Sequence, residues 1–301
     1  GGVLDSTSNV QFGEGGAGTF SDGKLSTGLN DPRMQFILNE FADHGAPPEI
    51  RYDAMPHVGT DYLCIVVKRM REELVSLGGE VRFQHQMTGI ITEADALTGF
   101  QVSGPEGDYT LETGYGVIAI GHSARDTFEM LYAAGVPMTS KRFAVGVRIE
   151  HLQQDMNIHQ YGAEMIGLPP ATYKVSCHLE NGRGAYSFCV CPGGQVVAAA
   201  SEAGRLCTNG MSYYARNGKN INGGLLVGVG PEDFGTDHPL GGMWLQRQLE
   251  EAAFQLGGGN YFAPAQTVGD FLQKIPSSGP GKILPTYQPG VTWTDLHLCL
   301  L

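Results

Sequence analysis

The chain has 301 residues, 42% hydrophobic and 17% charged, which is enough to bury a large core in two domains and too apolar for disorder. A formal charge of -12 at pH 7 repels phosphate backbones and anionic lipid, which argues against nucleic acid and membrane as partners and leaves a small-molecule substrate. No apolar run approaches the roughly 20 residues of a membrane span and no charged-then-apolar leader opens the chain, so a cytoplasmic protein is expected.

In chain order, the first distinctive stretch is Gly13 to Leu25, which holds five glycines in thirteen residues. A core has no use for that composition, whereas positive φ or close backbone approach to a ligand does. Gly13, Gly15 and Gly18 satisfy G-x-G-x-x-G, yet Ser8 to Phe12 is too short and polar for a buried parallel strand, and the residues through Pro32 oppose a long helix. Gly18-x4-Gly23-Lys24 also mimics a phosphate-binding P-loop, with Leu25 where a Ser or Thr would hold magnesium.

Asp31-Pro32 opens an expected helix through His44, stopped by Gly45, with Phe36, Ile37 and Phe41 at helical spacing. Thr60 reads as the N-cap of a second helix, whose stripe of Leu63, Val66, Val67, Met70, Leu74 and Leu77 ends at Gly78. Strands are expected over Glu80 to Phe83 and Met87 to Thr92, with Phe100 to Val102 paired to Tyr109 to Leu111 around Gly104-Pro105-Glu106-Gly107-Asp108. Val117 to Ile120 is continuously apolar and reads as a buried strand ending at Gly121, where a cofactor could touch backbone, before a helix from Arg125 to Ala134. A tight turn with no ligand explains Gly121 equally well.

From Val136 the pattern becomes mainly β, with strands over Phe143 to Ile149, Ala185 to Val190, Gln195 to Ala200 and Leu225 to Val229, and a helix over Trp244 to Leu256. Val268-Gly269-Asp270 resembles a short flavoprotein motif but follows no β-run. The six cysteines are scattered and read as reduced thiols. Cys189-Val190-Cys191 puts two thiols on one strand face, which admits redox or soft-metal chemistry; no second Cys/His pair completes four ligands, so buried free thiols and no metal are expected.

Three blocks together, Ser8 to Leu25, Pro56-His57-Val58-Gly59-Thr60-Asp61 and Ala119 to Phe128, resemble an uncharacterised family of FAD-dependent dehydrogenases related to glutathione-reductase-type flavoproteins. The similarity continues through Phe143 to His151, Tyr186 to Gly194 and Gly257-Gly258-Gly259-Asn260-Tyr261. It implies an α/β, mixed α+β architecture: an incomplete FAD-binding Rossmann-like domain over 1–135, an inserted mainly β substrate domain over 136–285, and the start of a return to the FAD domain over 286–301. It also implies that an N-terminal βαβ unit with its own dinucleotide fingerprint and a C-terminal glycine-rich return segment lie outside this chain, which reads as an internal fragment.

Carried over by position, the resemblance assigns FAD contacts to Glu14, Gly15, Gly16, Ala17, Gly18, Thr19, Ser21 and Lys24, to Met87, and to Ile120, Gly121 and His122. Lys24 is the candidate cation beside the flavin, and His57 and His122 are candidate proton donors, with Arg148 and His151 as further substrate-side groups. The expected activity is flavin-mediated hydride transfer, with NAD(P)H as candidate electron donor. Two alternatives stand beside it: a P-loop-like nucleotide hydrolase, and a non-catalytic flavin- or nucleotide-binding module.

Overall fold

The computed structural model describes residues 3–26, 31–162 and 167–300. In chain order the elements are α1 (Gly16–Thr19), α2 (Arg33–Asp43), α3 (Thr60–Ser76), β1 (Gln86–Glu93), β2 (Ala96–Gly104), β3 (Gly107–Glu112), α4 (Arg125–Ala133), β4 (Phe143–Leu152) and α5 (Gln153–Tyr161). They continue as β5 (Ser176–His178), β6 (Gly184–Cys191), β7 (Gln195–Ala198), β8 (Thr208–Met211), β9 (Asn220–Val229), α6 (Gly241–Leu256), β10 (Ala263–Ala265), α7 (Val268–Gln273) and β11 (Val291–Trp293). The chain divides into two compact units, one of residues 1–70, 143–229 and 246–301, the other of residues 71–142 and 230–245. The glycine loop and the β-rich segment after residue 142 therefore belong to the same unit.

The first unit is built on an antiparallel sheet of order β4-β9-β6-β5, in which β9 is paired along its whole length with β4, from Asn220 opposite Leu152 to Val229 opposite Phe143. Two small sheets accompany it, antiparallel β7-β8 and parallel β10-β11. Around the start of α3, Ala46, Ile50, Val58, Leu63 and Val66 form one buried cluster; Val196, Leu206, Ala263 and Tyr287 form another. The apolar stripe of α3 is buried only over its first half, because Leu74 and Leu77 are exposed. On α2, likewise, Phe36 and Ile37 face solvent.

In the second unit the hairpin β2-β3 has the register expected from alternation, Phe100 opposite Leu111 and Val102 opposite Tyr109, with Gly107 at φ 118° closing the turn. β1 completes this three-stranded antiparallel sheet. Two expected strands do not form. Glu80 to Phe83 is irregular, and Arg82 turns to Glu80 at 2.7 Å and to the Tyr109 hydroxyl at 2.8 Å.

Val117 to Ile120 is also irregular, and Val117 is 93% exposed. A buried parallel strand needs ladder partners on its flanks, and this run has none among the described residues. It lines instead an apolar depression of about 360 Å³ with Met87, Phe100, Val102 and Leu111. The Rossmann-like frame is not formed around the glycine loop either, since bends rather than a strand precede Gly13 and a single helical turn follows. The observed architecture is mixed helix and mainly antiparallel sheet.

Thr60, expected as an N-cap, is the first residue of α3. Its hydroxyl donates to the Thr19 carbonyl at 2.6 Å, so it ties the helix to the glycine loop rather than capping it. Gly59 precedes it at φ 78°, and a Cβ built there stands 2.2 Å from the Tyr214 amide nitrogen. We predict that Gly59→Ala destabilises the protein by about 2–5 kcal/mol, combining left-handed strain with a backbone clash. Chemical denaturation measures this, and an unchanged midpoint would refute the packing described.

Candidate functional site

The glycine loop is shaped by backbone conformations that side chains resist: φ is 108° at Gly13, 78° at Gly15, 54° at Gly16 and 67° at Gly23. Gly13, Glu14, Gly15 and Gly18 are exposed, whereas Thr19 is buried and its hydroxyl donates to the Glu14 carbonyl at 3.3 Å. Ala17 lies within the single turn of α1. Ser21 closes the turn, donating to the Gly18 carbonyl at 2.6 Å and accepting from the Gly23 amide at 3.0 Å. Space is open within 4 Å of where a Cβ would stand at Gly13 and Gly18.

The loop is anchored by Asp22, which is 1% exposed. Its carboxylate accepts from Arg216 Nε at 2.8 Å and Nη2 at 2.5 Å, from the Ser212 hydroxyl, and from Lys24 Nζ at 2.8 Å. Burial pushes the Asp22 carboxyl up, but the Arg216 hydrogen bonds and the charges of Lys24 and Arg216 outweigh it and hold the group below the usual carboxylate range. The backbone repeats the connection: Val58 N donates to Gly23 O at 3.0 Å, Gly59 N to Asp22 O at 3.2 Å and Thr60 N to Ser212 O at 3.0 Å. Segments 19–25, 56–60 and 212–216 are thereby laced together.

Lys24 is not arranged as a P-loop lysine. It sits in an antiparallel bridge with His57 rather than at the opening of a helix, and its ammonium is shared between Asp22 and the Val190 carbonyl. His57 stacks on Tyr214 with ring centroids 5.1 Å apart, and its Nε2 lies 3.0 Å from the Tyr214 carbonyl. Burial, reinforced by the Arg216 charge, lowers the His57 pKa, so the ring is neutral at pH 7 and donates through Nε2.

Lys24 leads to β6, where the register shifts between Phe188 and Cys191 and Cys189 takes φ 44°. Arg148 of β4 donates to Asn222 Oδ1 at 2.7 Å, Asn209 Oδ1 at 3.2 Å and the Cys189 carbonyl at 3.4 Å. His151, further along β4, packs edge-on against Tyr173, and burial lowers its pKa. The first unit thus brings together Lys24, His57 and the loop residues with a cluster of Arg148, Cys189 and Cys191.

Met87, Ile120, Gly121 and His122 belong to the second unit. Met87 and Ile120 line its apolar depression. Gly121 is exposed at φ 71° with open space at its Cβ position, and His122 is exposed with Nδ1 3.3 Å from the Ser123 hydroxyl.

Sequence reasoning missed Asp22, Ser212, Arg216 and Tyr214, because the carboxylate and its arginine are 194 residues apart. A local signal existed only for Asp22, an acidic residue flanked by Ser21 and Gly23 inside a loop otherwise read for its glycines.

Residues 142–301 match the family described as FAD-dependent protein, C-terminal domain-like. A protein of Clostridium beijerinckii described only as uncharacterized is 51% identical over 302 residues, covering 99% of this chain and 56% of that protein. The chain therefore spans little more than half the length of that relative. Among solved structures, OxyS anhydrotetracycline hydroxylase from Streptomyces rimosus aligns at 19% identity over 63% of this chain and 30% of its own, with a TM-score of 0.29, too low to carry an argument.

Removing the Asp22 charge strands two cations, so Asp22→Asn is expected to cost about 3–5 kcal/mol. Because the native pKa is lowered, the stability Asp22 contributes is present above the ordinary carboxylate value of 3.8 and is lost as pH falls through the native one. Acid-unfolding curves should therefore show a loss below that range in the wild type that the variant lacks; parallel curves would overturn the assignment.

Proposed function

The chain belongs to the family of FAD-dependent proteins with this C-terminal domain, and from that premise we propose that it serves a flavin-dependent oxidoreductase whose glycine loop meets the cofactor. One observation carries the reading. Gly13 and Gly18 present exposed backbone with no atom near the Cβ position, and the neighbouring glycines hold left-handed conformations. That surface fits a flat, phosphate-bearing group whose approach a side chain would block.

When bound, FAD would supply two-electron hydride chemistry. The chain's own residues would orient it and tune the surroundings. Backbone from Glu14 to Thr19 would line the group, and Ser21 fixes the turn that presents it. Lys24, 39% exposed and held by Asp22, keeps a positive charge beside the loop at a set position. His57, neutral and committed through Nε2 to a carbonyl, would act as a positioning residue. For Met87 and Ile120 to His122 the proposed contacts rest on the sequence resemblance, with exposed His122 the remaining proton-donor candidate. NAD(P)H as the electron donor rests on the sequence resemblance alone.

The nucleotide-hydrolase alternative is disfavoured by the bridge that holds Lys24 and by the non-helical backbone of Leu25 and Ser26 that follows it. Gly18 offers a direct test, because its φ is ordinary and its Cβ position is open. Gly18→Leu should leave stability within about 0.5 kcal/mol of wild type while weakening FAD binding about tenfold or more. Purified from its native coding context, the wild-type protein should carry a flavin absorption band. A colourless, well-folded wild type, or FAD binding untouched by Gly18→Leu, would overturn the proposal.

A further inference from the structure

The six cysteines are not equivalent. Cys64 and Cys177 are exposed, and Cys207 and Cys299 each donate to a nearby backbone carbonyl. Cys189 and Cys191 are different, because two residues apart on one strand they lie at a bulge where Cys191 Sγ donates to the Cys189 carbonyl at 3.3 Å. In a regular strand two residues at i and i+2 share a face but stand apart. Here the bulge and the left-handed Cys189 fold the chain back so that Cys191 Sγ reaches the carbonyl of Cys189 itself. A non-glycine residue held in that region is a strain that surrounding structure must enforce, and such strain concentrates at reactive sites. Lys24 enforces it by holding the Val190 carbonyl between the two cysteines, and Arg148 by holding the Cys189 carbonyl.

The surroundings treat the two sulfurs unequally. Cys189 is half-buried and Cys191 fully buried. The neighbouring Cys191 thiol, aided by the Arg148 and Lys24 charges, brings the Cys189 thiol down to about 6 against its burial, while the neighbouring Cys189 sulfur and burial push Cys191 up. Two buried polar atoms flank the pair without hydrogen-bond partners among the described residues: Nδ2 of Asn222, which faces Cys191 across the ladder, and the Tyr173 hydroxyl, whose ionisation both Arg148 and Cys191 influence. Each is a donor available to a polar group brought to the sulfurs.

We propose that Cys189 and Cys191 form a thiol–disulfide exchange site that takes low-molecular-weight disulfides as substrate, Cys189 attacking and Cys191 resolving. The Cys189 thiolate attacks one sulfur of the substrate, the substrate S–S bond breaks, and the first thiolate leaves and takes a proton from solvent. Cys191 then gives up its proton and attacks the Cys189 sulfur of the mixed disulfide. The second substrate thiolate leaves with that proton. The pair is oxidised by two electrons to an intrachain disulfide, and the substrate is reduced to two thiols. The assignment is independent of flavin binding, since the small disulfide is itself the oxidant.

The test uses the full chain and oxidised glutathione as probe, with acid quenching, alkylation and peptide mass analysis. The expected result is a peptide containing residues 189–191 that loses two hydrogens, with alkylation of Cys189 half-maximal near pH 6 and about tenfold faster at neutral pH than that of Cys64 or Cys177. Cys191→Ser should trap glutathione on Cys189, and Cys189→Ser should abolish the reaction at position 191. Glutathione confined to the exposed Cys64 and Cys177, or a Cys189 that alkylates no faster than they do, would overturn the proposal, and the wild-type measurement decides this even where a variant does not fold.

Discussion

A carboxylate almost wholly withdrawn from water stays ionised only where donors and positive charge replace its hydration, and Asp22 meets that condition with Arg216, Lys24 and Ser212. The cost of burying it is what makes the arrangement specific. Any displacement of the glycine loop from segment 212–216 would leave an unpaired buried charge, a state several kcal/mol higher. The loop, which by composition should be the softest stretch of the unit, is instead held at its C-terminal end by the least forgiving interaction in it.

The consequences run outward along the chain. Because Asp22 fixes Lys24, the lysine reaches the Val190 carbonyl, and the glycine loop and the β6 bulge share one cation. Because the backbone of 22–25 pairs with 56–59, His57 is turned onto Tyr214 and kept neutral. The sheet contributes from its other side: β4 and β9 run in full register, so Arg148 and Asn222 arrive side by side at the bulge. One unit of this chain thus presents an open glycine surface and a strained pair of thiols joined through a single ammonium group.

How much of this could be read beforehand depended on the range of the interaction. The β2-β3 hairpin was legible to its register, since alternation and a Gly-Pro-Glu-Gly turn are local and opposed by nothing. Helices α2, α3 and α6 were legible from spacing and stop residues, although the far end of the α3 stripe, Leu74 and Leu77, faces solvent. Val117 to Ile120 misled because a continuous apolar run signals burial without saying against what, and a depression between side chains satisfies it as well as a ladder does. Thr60 misled because a hydroxyl at a helix start serves a cap or a neighbouring loop equally well by composition. The carboxylate knot was illegible in principle, since no periodicity links residues 22 and 216. For the cysteine pair, the spacing was visible, whereas the bulge that folds Cys191 Sγ back onto the Cys189 carbonyl was not.

The two anchors of Lys24 differ in kind, and that difference governs how the sequence can drift over evolutionary time. Its bond to residue 190 ends on a main-chain oxygen that every amino acid carries, so valine there can be exchanged for any side chain the buried position admits. Its bond to residue 22 ends on a carboxylate that also answers to Arg216 and Ser212. Positions 22 and 216 are therefore constrained by each other's charge, and position 212 by the hydroxyl it donates to the same carboxylate.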